Sequence, residues 1–369
     1  MLNDMYTLGF AAFPGIGTIR FKKLVAACGS PQKAWNSSKT ALSAILGKML
    51  AEKFVNFRAS FDVASYAQTI KQKGIEYVVP TDTMYPHLLQ QIPHPPFILF
   101  AKGNISLLQE THALGVVGTR KVTDYGQEVT ELFVRDLVAQ GFVIVSGMAL
   151  GVDGIAHKTA LANNGKTIAV LGSGVDVPMP REHAYLYQNI LEKNGLIVST
   201  FAPGEGASKG SFPARNAIIA GLTQGILVTE GAEDSGSLIT AAYAKKFGRP
   251  IFAVPGRITS HLSEGTNNLI KQGAYAVSSA SDIIGSLGYA SSRVRSLSGT
   301  SSSSRFAQPV KGDTKEEQKI LDLLANESLH FDEIVRKIGK DSKSIGSLLS
   351  LMELKGAIKS LSDGRYALA

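Results

Sequence analysis

The residues with the clearest chemical meaning lie just before a run of apolar residues in the second half of the chain. Arg215 and Asn216 stand where a loop becomes a helix, with Lys209 and Phe212 shortly before them. A cation, an amide and an aromatic ring at this spacing predict contact with one nucleotide, whose base stacks on the ring. The competing interpretations are a structural arginine bonded to sheet carbonyls and a phenylalanine in the core.

Two other segments offer groups that bind anions. Gly-Thr-Arg at 118–120 ends an apolar run, and Arg120 can hold a phosphate through two parallel hydrogen bonds. Ser-Gly-Ser at 235–237 opens a helix, so its free backbone N–H groups and its hydroxyls form a pocket suited to a phosphate. The competing interpretations are an ordinary surface arginine and an ordinary helix N-cap.

Two more glycine-rich turns, at 146–157 and 172–174, complete no nucleotide-binding motif. The turn at 172–174 fails the dinucleotide pattern because Val177 stands where a third glycine is needed. Gly-Lys-Thr at 165–167 fails the triphosphate-loop pattern because Ala160 replaces its first glycine and the segment precedes a strand. His157 follows Asp153 by one helical turn, which suits a general base and its orienting acid but is more typical of a pair that braces a helix. We therefore expect no cofactor.

These turns have to be positioned by a repeated unit that starts near residue 113. Each unit is a short apolar run, a turn with glycine and a helical stretch, and continuous apolar runs predict strands buried on both faces. In such a doubly wound, mostly parallel sheet, ligands bind beyond the carboxyl ends of the strands. The predicted strands are Leu114–Val117, Val143–Val145, Ile168–Leu171, Ile226–Val228 and Ile251–Val254.

The rest of the chain divides into smaller parts. We predict an N-terminal helical domain over 1–68, a Rossmann-like domain over 69–289, a serine-rich linker over 290–312 and a winged helix over 313–369. In the first domain, Phe-Pro-Gly-Ile-Gly at 13–17 looks like a helix-hairpin-helix turn, with a purely structural hairpin as the alternative. The proline-rich segment before Phe97–Phe100 predicts an edge strand there.

The amino-acid composition excludes some classes of protein. The single cysteine, Cys28, forms no internal disulfide and is expected to be buried, and no apolar run approaches the ~20 residues of a membrane span. Without a secretory signal, the expected location is the cytoplasm. The net charge is +8, yet residues 111–288 hold 14 basic and 14 acidic side chains. Binding of a polyanion by this segment must therefore use a few cations on one face.

The ordered motifs resemble the DNA-processing protein A (DprA/Smf) family over essentially the whole chain. The resemblance implies an extended Rossmann-like core that dimerises, binds single-stranded DNA in a basic pocket and helps to load the RecA recombinase during natural transformation, with no known catalytic reaction. The scattered histidines and the short apolar runs predict no metal site and no membrane partner. The motifs that carry it are Val117–Arg120, Ser146–His157, Thr167–Gly172, Arg215–Leu222, Ser235–Ala241, Phe252–Gly256 and Ser263–Ile270.

In that family, the arginine of the Gly-x-Arg turn and the lysine and phenylalanine before Arg-Asn bind DNA, which corresponds to Arg120, Lys209 and Phe212. Three positions differ from the family pattern: Ala217, Met179 and Thr200, where an arginine, a tyrosine and a glutamate are usual. The complete set predicted to bind DNA is Gly118, Thr119, Arg120, Ser146, Gly147, Gly172, Gly174, Lys209, Phe212, Arg215, Asn216, Ser235, Gly236 and Ser237.

Two other classes of function remain open. One is a nucleotide phosphoribohydrolase-like enzyme, in which Glu230 acts beside the serine-rich turn; the same acid could instead cap that turn. The other is a regulator that reads duplex DNA through its winged helix. Basic side chains of that domain favour DNA contact, whereas nearby acids favour partner docking or self-association. The basic residues are Lys340, Lys343, Lys355, Lys359 and Arg365.

Overall fold

The structure is a computed structural model that describes residues 2–208, 210–289, 314–324, 328–361 and 364–368. The predicted linker over 290–312 and the candidate residue Lys209 lie outside the described residues. Contacts between residues divide the chain into two compact units, a larger one over residues 1–292 and a smaller one over residues 293–369.

Helices form the first part of the larger unit, as predicted. Apolar residues at helical spacing, among them Phe21, Phe54 and Phe57, build an aromatic cluster in which the Phe10 and Phe54 rings stack at 5.0 Å. Cys28 lies at the border of this cluster and is half-buried, so the expectation of full burial was wrong. The helices are α1 (Leu2–Ala12), α2 (Thr18–Cys28), α3 (Pro31–Trp35), α4 (Lys39–Leu46), α5 (Lys48–Ser60) and α6 (Val63–Gln72).

A nine-stranded sheet forms the centre of the larger unit in the part of the chain that is described. All five predicted strands are confirmed, and three of the remaining strands are shorter or more polar than the pattern that identifies a buried strand. The strands are β1 (Ile75–Val78), β2 (Leu99–Gly103), β3 (Ala113–Val117), β4 (Val143–Ser146), β5 (Thr167–Val170), β6 (Leu196–Ser199), β7 (Ile226–Val228), β8 (Ile251–Ala253) and β9 (Tyr275–Ala276).

The strand order is β1-β2-β6-β5-β4-β3-β7-β8-β9. Every pair from β6 to β9 is parallel, whereas β1 pairs with β2 and β2 with β6 in antiparallel fashion. The sheet is therefore mostly parallel, as predicted. The prediction that the apolar run ending at Phe100 is an edge strand was wrong, because β1 covers β2 on that side. Because β2 lies between β1 and β6, its residues Leu99 and Phe100 are fully buried.

Helices cover both faces of the sheet, and the helix at Asp124–Ala139 is the first that follows the carboxyl end of a parallel strand. Thr123 caps this helix by accepting a hydrogen bond from Gly126 N at 3.0 Å, which satisfies a free amide of the first turn. The helices after β1 are α7 (His87–Gln90), α8 (Asp124–Ala139), α9 (Val152–Ala162), α10 (Ala184–Glu192), α11 (Ser211–Leu222), α12 (Ser237–Lys246), α13 (Glu264–Lys271) and α14 (Ala280–Ser286).

The smaller unit is the predicted winged helix. Its three helices and its sheet enclose a separate core centred on Ile320, Ile334 and Leu349, each of which is fully buried. The strands pair in the order β10-β12-β11. The elements are α15 (Lys315–Leu324), β10 (Leu329–His330), α16 (Phe331–Ile338), α17 (Ser342–Leu354), β11 (Ile358–Ser360) and β12 (Arg365–Leu368).

Candidate nucleic-acid interface

A cavity of about 540 Å³ opens at the carboxyl edge of the parallel strands, between the turn after β3 and the first turns of α11 and α12. Parallel strands bring the turns that follow them to one edge, so residues distant in sequence meet there. The cavity collects nine residues predicted from sequence: Gly118, Thr119, Arg120, Phe212, Arg215, Asn216, Ser235, Gly236 and Ser237.

Arg120 and Phe212 form the exposed side of this cavity. The Arg120 guanidinium carbon lies 5.5 Å from the centre of the Phe212 ring, which is within the range of a cation–π interaction. Arg120 is exposed and Phe212 is half-buried, so the phenylalanine is not a core residue. An aromatic ring and an exposed guanidinium at this distance are groups that can stack on a base and bind a phosphate.

Arg215 is held differently, by a buried ion pair. Its Nη1 atom lies 3.3 Å from Oδ2 of Asp153, and both side chains are less than 8% exposed. The same carboxylate oxygen accepts hydrogen bonds from the backbone N–H groups of Gly147 at 3.2 Å and Ala149 at 3.3 Å. Arg215 is thus a structural arginine, but its partner is a carboxylate rather than a sheet carbonyl.

Position 147 has to be glycine for this ion pair to exist. A Cβ at Gly147 would lie 0.9 Å from Nη1 of Arg215, which no side chain can occupy together with the guanidinium. The tight turn also holds Met148 at φ 61°, a conformation that costs about 1–3 kcal/mol in a residue other than glycine. The turn after β4 therefore supports the floor of the cavity.

Burial and charge both act on the pair. Burial raises the pKa of Asp153, and the guanidinium of Arg215 lowers it. Burial lowers the pKa of Arg215, Asp153 raises it and the nearby Arg120 lowers it further. Both guanidinium groups belong to the lining of the same cavity, where an anion would be attracted by their charge.

Ser235, Gly236 and Ser237 supply polar groups at the start of α12. The two serine hydroxyls are 2.7 Å apart, and Ser235 Oγ lies 3.4 Å from the backbone nitrogen of Ser237, a long contact for an N-cap. Asn216 Nδ2 donates to the carbonyl oxygen of Gly236 at 3.2 Å, which fixes α11 against this turn. The hydroxyls and the positive end of the α12 dipole face the cavity and favour an anion.

Four other predicted residues do not line this cavity. Ser146 is fully buried, where its hydroxyl donates to the Val116 carbonyl at 2.6 Å. Gly147 lies beneath the cavity, against Arg215. Gly172 lies behind α11, where a Cβ would be 3.4 Å from the Phe212 ring, and Gly174 bonds to Glu205 in the next loop. Their part in DNA binding stays a prediction, as does that of Lys209.

The structure corrects the suggested pair of Asp153 and His157. The hydrogen bonds of Asp153 go to Arg215 and the turn, whereas His157 Nδ1 lies 2.7 Å from Thr167 Oγ1. Thr167 donates its only hydroxyl proton to the Ile144 carbonyl at 2.7 Å, so Nδ1 of His157 must be the donor to Thr167. Burial, assisted by the charge of His183, lowers the pKa of His157 to about 3.

Glu230, the candidate catalytic acid, turns away from the serine-rich turn. Its carboxylate accepts hydrogen bonds from the backbone N–H of Thr123 at 2.9 Å and from the Thr123 hydroxyl at 2.6 Å. It is 2% exposed and supports the start of α8. It caps a helix that lies 107 residues earlier in the chain, not the turn at 235–237 that sequence reasoning considered.

Sequence reasoning missed several residues of the cavity. Asp153 was paired with His157 instead of Arg215. The ion pair joins residues that are 62 positions apart, and no local sequence pattern indicates it. Lys121 follows Arg120 directly and was passed over, although a second cation at a strand end is a signal that could have been used. The other missed lining residues include Asp234, Ile239, Thr240 and His261.

The described residues contain no group of three or more His, Cys, Asp or Glu side chains that could hold a metal ion. None of the helices within the described ranges combines the length and the apolar character needed to cross a membrane.

The chain is similar to known DNA-processing proteins. The family model for DNA recombination-mediator protein A matches residues 76–288, and that for the DprA winged helix domain matches residues 304–364. Protein Smf of Synechocystis is 36% identical over 291 residues, which are 78% of this chain and 73% of that protein. The structure of DNA processing protein A from Streptococcus pneumoniae aligns with a TM-score of 0.66 and 34% identity, over 77% of this chain and 97% of that one.

A second solved structure is that of DNA processing protein A from Helicobacter pylori, described for its single-stranded DNA binding mode. It aligns with a TM-score of 0.51 and 32% identity, and it covers 57% of this chain and 95% of that chain.

Proposed function

Because the chain belongs to the DNA recombination-mediator protein A (DprA/Smf) family, we propose that it binds single-stranded DNA in the cavity at the carboxyl edge of its sheet. The observation that carries this proposal is the guanidinium of Arg120 over the ring of Phe212, 5.5 Å from its centre. In the proposed complex, a base stacks on the ring and a phosphate binds Arg120 and the serine-rich turn. The Helicobacter pylori relative is described as a single-stranded DNA binder, which supports the assignment.

The chemistry of the cavity favours a single strand over a duplex. Stacking on Phe212 requires a base with a free face, and bases in a duplex are already stacked on their neighbours. The 540 Å³ cavity also suits one or two nucleotides rather than a groove-reading helix. Binding weakens with salt, because each phosphate contact releases counterions.

A competition experiment tests this function. A labelled oligothymidylate bound to the protein is challenged with unlabelled single strands or with duplex of the same length and composition. The expected result is that the single strand displaces the probe at a concentration at least about tenfold lower than the duplex does. Equal displacement, or stronger displacement by the duplex, contradicts the proposal and favours a regulator that acts through the winged helix.

We propose that the cavity performs no reaction. The acid that an enzyme of the phosphoribohydrolase kind would use, Glu230, is bound to Thr123, and Asp153 is bound to Arg215. Only Asp234, which is exposed, remains as a carboxylate in the described lining. Incubation with nucleoside monophosphates should therefore release no free base, and release above that of a protein-free control would reverse this conclusion.

The wider role that we propose is protection of incoming single strands and loading of RecA during natural transformation, in the cytoplasm. Its support is the family membership. Two measurements test it: resistance of the bound strand to nuclease, and the rate at which RecA assembles on a strand that is already coated by single-strand-binding protein. Acceleration of assembly is expected with the wild-type protein, and an unchanged rate contradicts the loading role.

We also propose that the protein is a homodimer through its Rossmann-like domain. Two apolar side chains support this proposal, because Ile258, after β8, is 93% exposed and Tyr275, in the edge strand β9, is 55% exposed. Side chains of this kind gain free energy when a partner covers them. Light scattering should give twice the mass of one chain, and Ile258→Glu should shift the equilibrium to the monomer. A wild-type protein of single-chain mass would contradict the dimer.

A further inference from the structure

A second cavity, of about 680 Å³, lies between the N-terminal helices and the Rossmann-like part of the larger unit. Its walls come from the start of α2, from the proline-rich segment before β2 and from one face of α11. The end of α12 closes it. Two of the positions that differ from the family pattern, Thr200 and Ala217, line it.

The lining is cationic and partly aromatic. Arg20, Lys23 and Lys246 are exposed on its wall together with His94, and no carboxylate belongs to the described lining. Arg20 is held in place by donating to the Gly15 carbonyl at 2.7 Å, whereas no ion pair of Lys23 or Lys246 is found in the described part of the chain. Such a surface attracts a polyanion.

The two cavities share the same two helices. Phe212, Arg215 and Asn216 of α11 face the first cavity, whereas Ala214 and Ala217 face the second, on the other side of the helix. The α12 helix has its serine-rich start in the first cavity and Lys246, its last residue, in the second. Its ten residues span about 15 Å, the length of roughly four nucleotides at ~3.4 Å each.

We propose that a strand longer than the first cavity can hold continues past the first turn of α11 into the second cavity, where Lys23 and Lys246 bind its phosphates. The Tyr243 ring, half-buried beside Lys246, supplies a surface for a base there. This inference rests on the proposed function, because it extends the same bound strand. It assigns a DNA contact to the N-terminal helical part.

An acidic peptide is the other ligand that a cationic, partly apolar cavity suits. The strand is favoured because the second cavity adjoins the first along two shared helices. Binding of an acidic peptide in the second cavity would not require the first cavity.

Two double variants test the proposal in the full chain. The first, Lys23→Ala with Lys246→Ala, removes the cations of the second cavity. The matched control, Lys22→Ala with Lys245→Ala, removes the same charge from adjacent exposed positions of the same helices that do not line this cavity. Binding of oligothymidylates of about 5 and about 20 nucleotides is measured against salt concentration, since an extended site is seen only by the longer strand.

For the long strand, the logarithm of the binding constant falls with the logarithm of salt concentration. The first variant should reduce the magnitude of this slope by about 1.4, because two phosphate contacts contribute ~0.7 each. Its affinity for the short strand should be unchanged, and the control should resemble the wild type with both strands. An unchanged slope with the long strand, with short-strand binding intact, overturns this inference and leaves the proposed function standing. If the wild type binds neither strand, the proposed function fails and the inference fails with it.

Discussion

At the scale of single residues, the cavity separates two arginines that look alike in sequence. Arg120 is exposed beside Phe212, whereas Arg215 is buried against Asp153. The two arginines differ in exposure because of their positions in the fold. Arg120 ends a turn at the sheet edge, and Arg215 lies on the inner face of α11. Sequence alone identified both as cations near a ligand, but it could not show which one is neutralised, because the neutralising acid is distant in the chain.

The ion pair predicts the result of removing its acid. Asp153→Asn leaves the guanidinium of Arg215 buried without a countercharge, and breaking a buried pair in this way costs about 3–5 kcal/mol of unfolding free energy. Urea denaturation of the variant and the wild type measures the loss. The double variant Asp153→Asn with Arg215→Met, which removes both charges, should recover part of it; no recovery would mean that the two residues are not coupled.

His157 predicts a dependence of stability on pH. In the folded protein its pKa is lowered to about 3, whereas an unfolded histidine titrates near ~6.5. Below pH ~6.5 the unfolded chain therefore binds a proton that the folded chain does not. The free energy of unfolding should fall, by up to about 1.4 kcal/mol per pH unit, as the pH drops from ~6.5 towards ~3.

The variant His157→Asn isolates this contribution, since its amide can still donate to Thr167. The raised pKa of Asp153 acts in the opposite direction in both proteins and cancels in the comparison. The difference in unfolding free energy between variant and wild type should change with pH below 6.5. A constant difference would show that His157 titrates normally.

At the scale of elements, apolar runs were a reliable guide to the central strands and a poor one to the margins. Five of the strands buried on both faces could be predicted, because both faces need apolar residues, whereas the equally buried β6 has the same kind of apolar run and was missed. The two-residue β9 was missed because its side chains are exposed, and β1 because it pairs on one side only. The fold class and the edge at which the candidate residues meet were thus predictable, whereas the ends of the sheet depended on pairing partners.

The link between β7 and α8 predicts the effect of a single hydroxyl. Thr123 caps α8 through Gly126 N and donates to Glu230, so Thr123→Ala removes both bonds. Loss of the cap costs about 1–2 kcal/mol, and the buried carboxylate loses one of its donors as well. Thr123→Ser keeps the hydroxyl and should stay near the wild type in thermal denaturation. Equal loss in both variants would assign the effect to the methyl group.

At the scale of the whole molecule, two units have separate cores, and every described residue of the cavity that contains Arg120 belongs to the larger one. The serine-rich composition and the helical spacing were enough to predict that a separate winged helix follows the core. The role of that domain was not predictable, because its basic and acidic side chains are interspersed. Its described cations include Lys340 and Lys355, which are bonded to Glu316 and Glu317.

Deletion of the winged helix after residue 289 should therefore leave binding of a short oligothymidylate within about twofold of the full chain. The control is the circular dichroism of the shortened protein, which should retain the helices and sheet of the larger unit. A loss of affinity of tenfold or more, in a protein that remains folded, would place a DNA contact on the winged helix.

The central claim is that single-stranded DNA binds at the turn that carries Arg120. The most direct test is the anisotropy of a labelled oligothymidylate titrated with wild type, Arg120→Ala and Arg135→Ala, the last of which removes an exposed arginine away from the cavity. Loss of a charge-assisted contact of about 1.5–3 kcal/mol predicts a Kd raised about tenfold or more for Arg120→Ala, and an unchanged Kd for Arg135→Ala. An Arg120→Ala protein that binds as tightly as the wild type at low salt would contradict the claim.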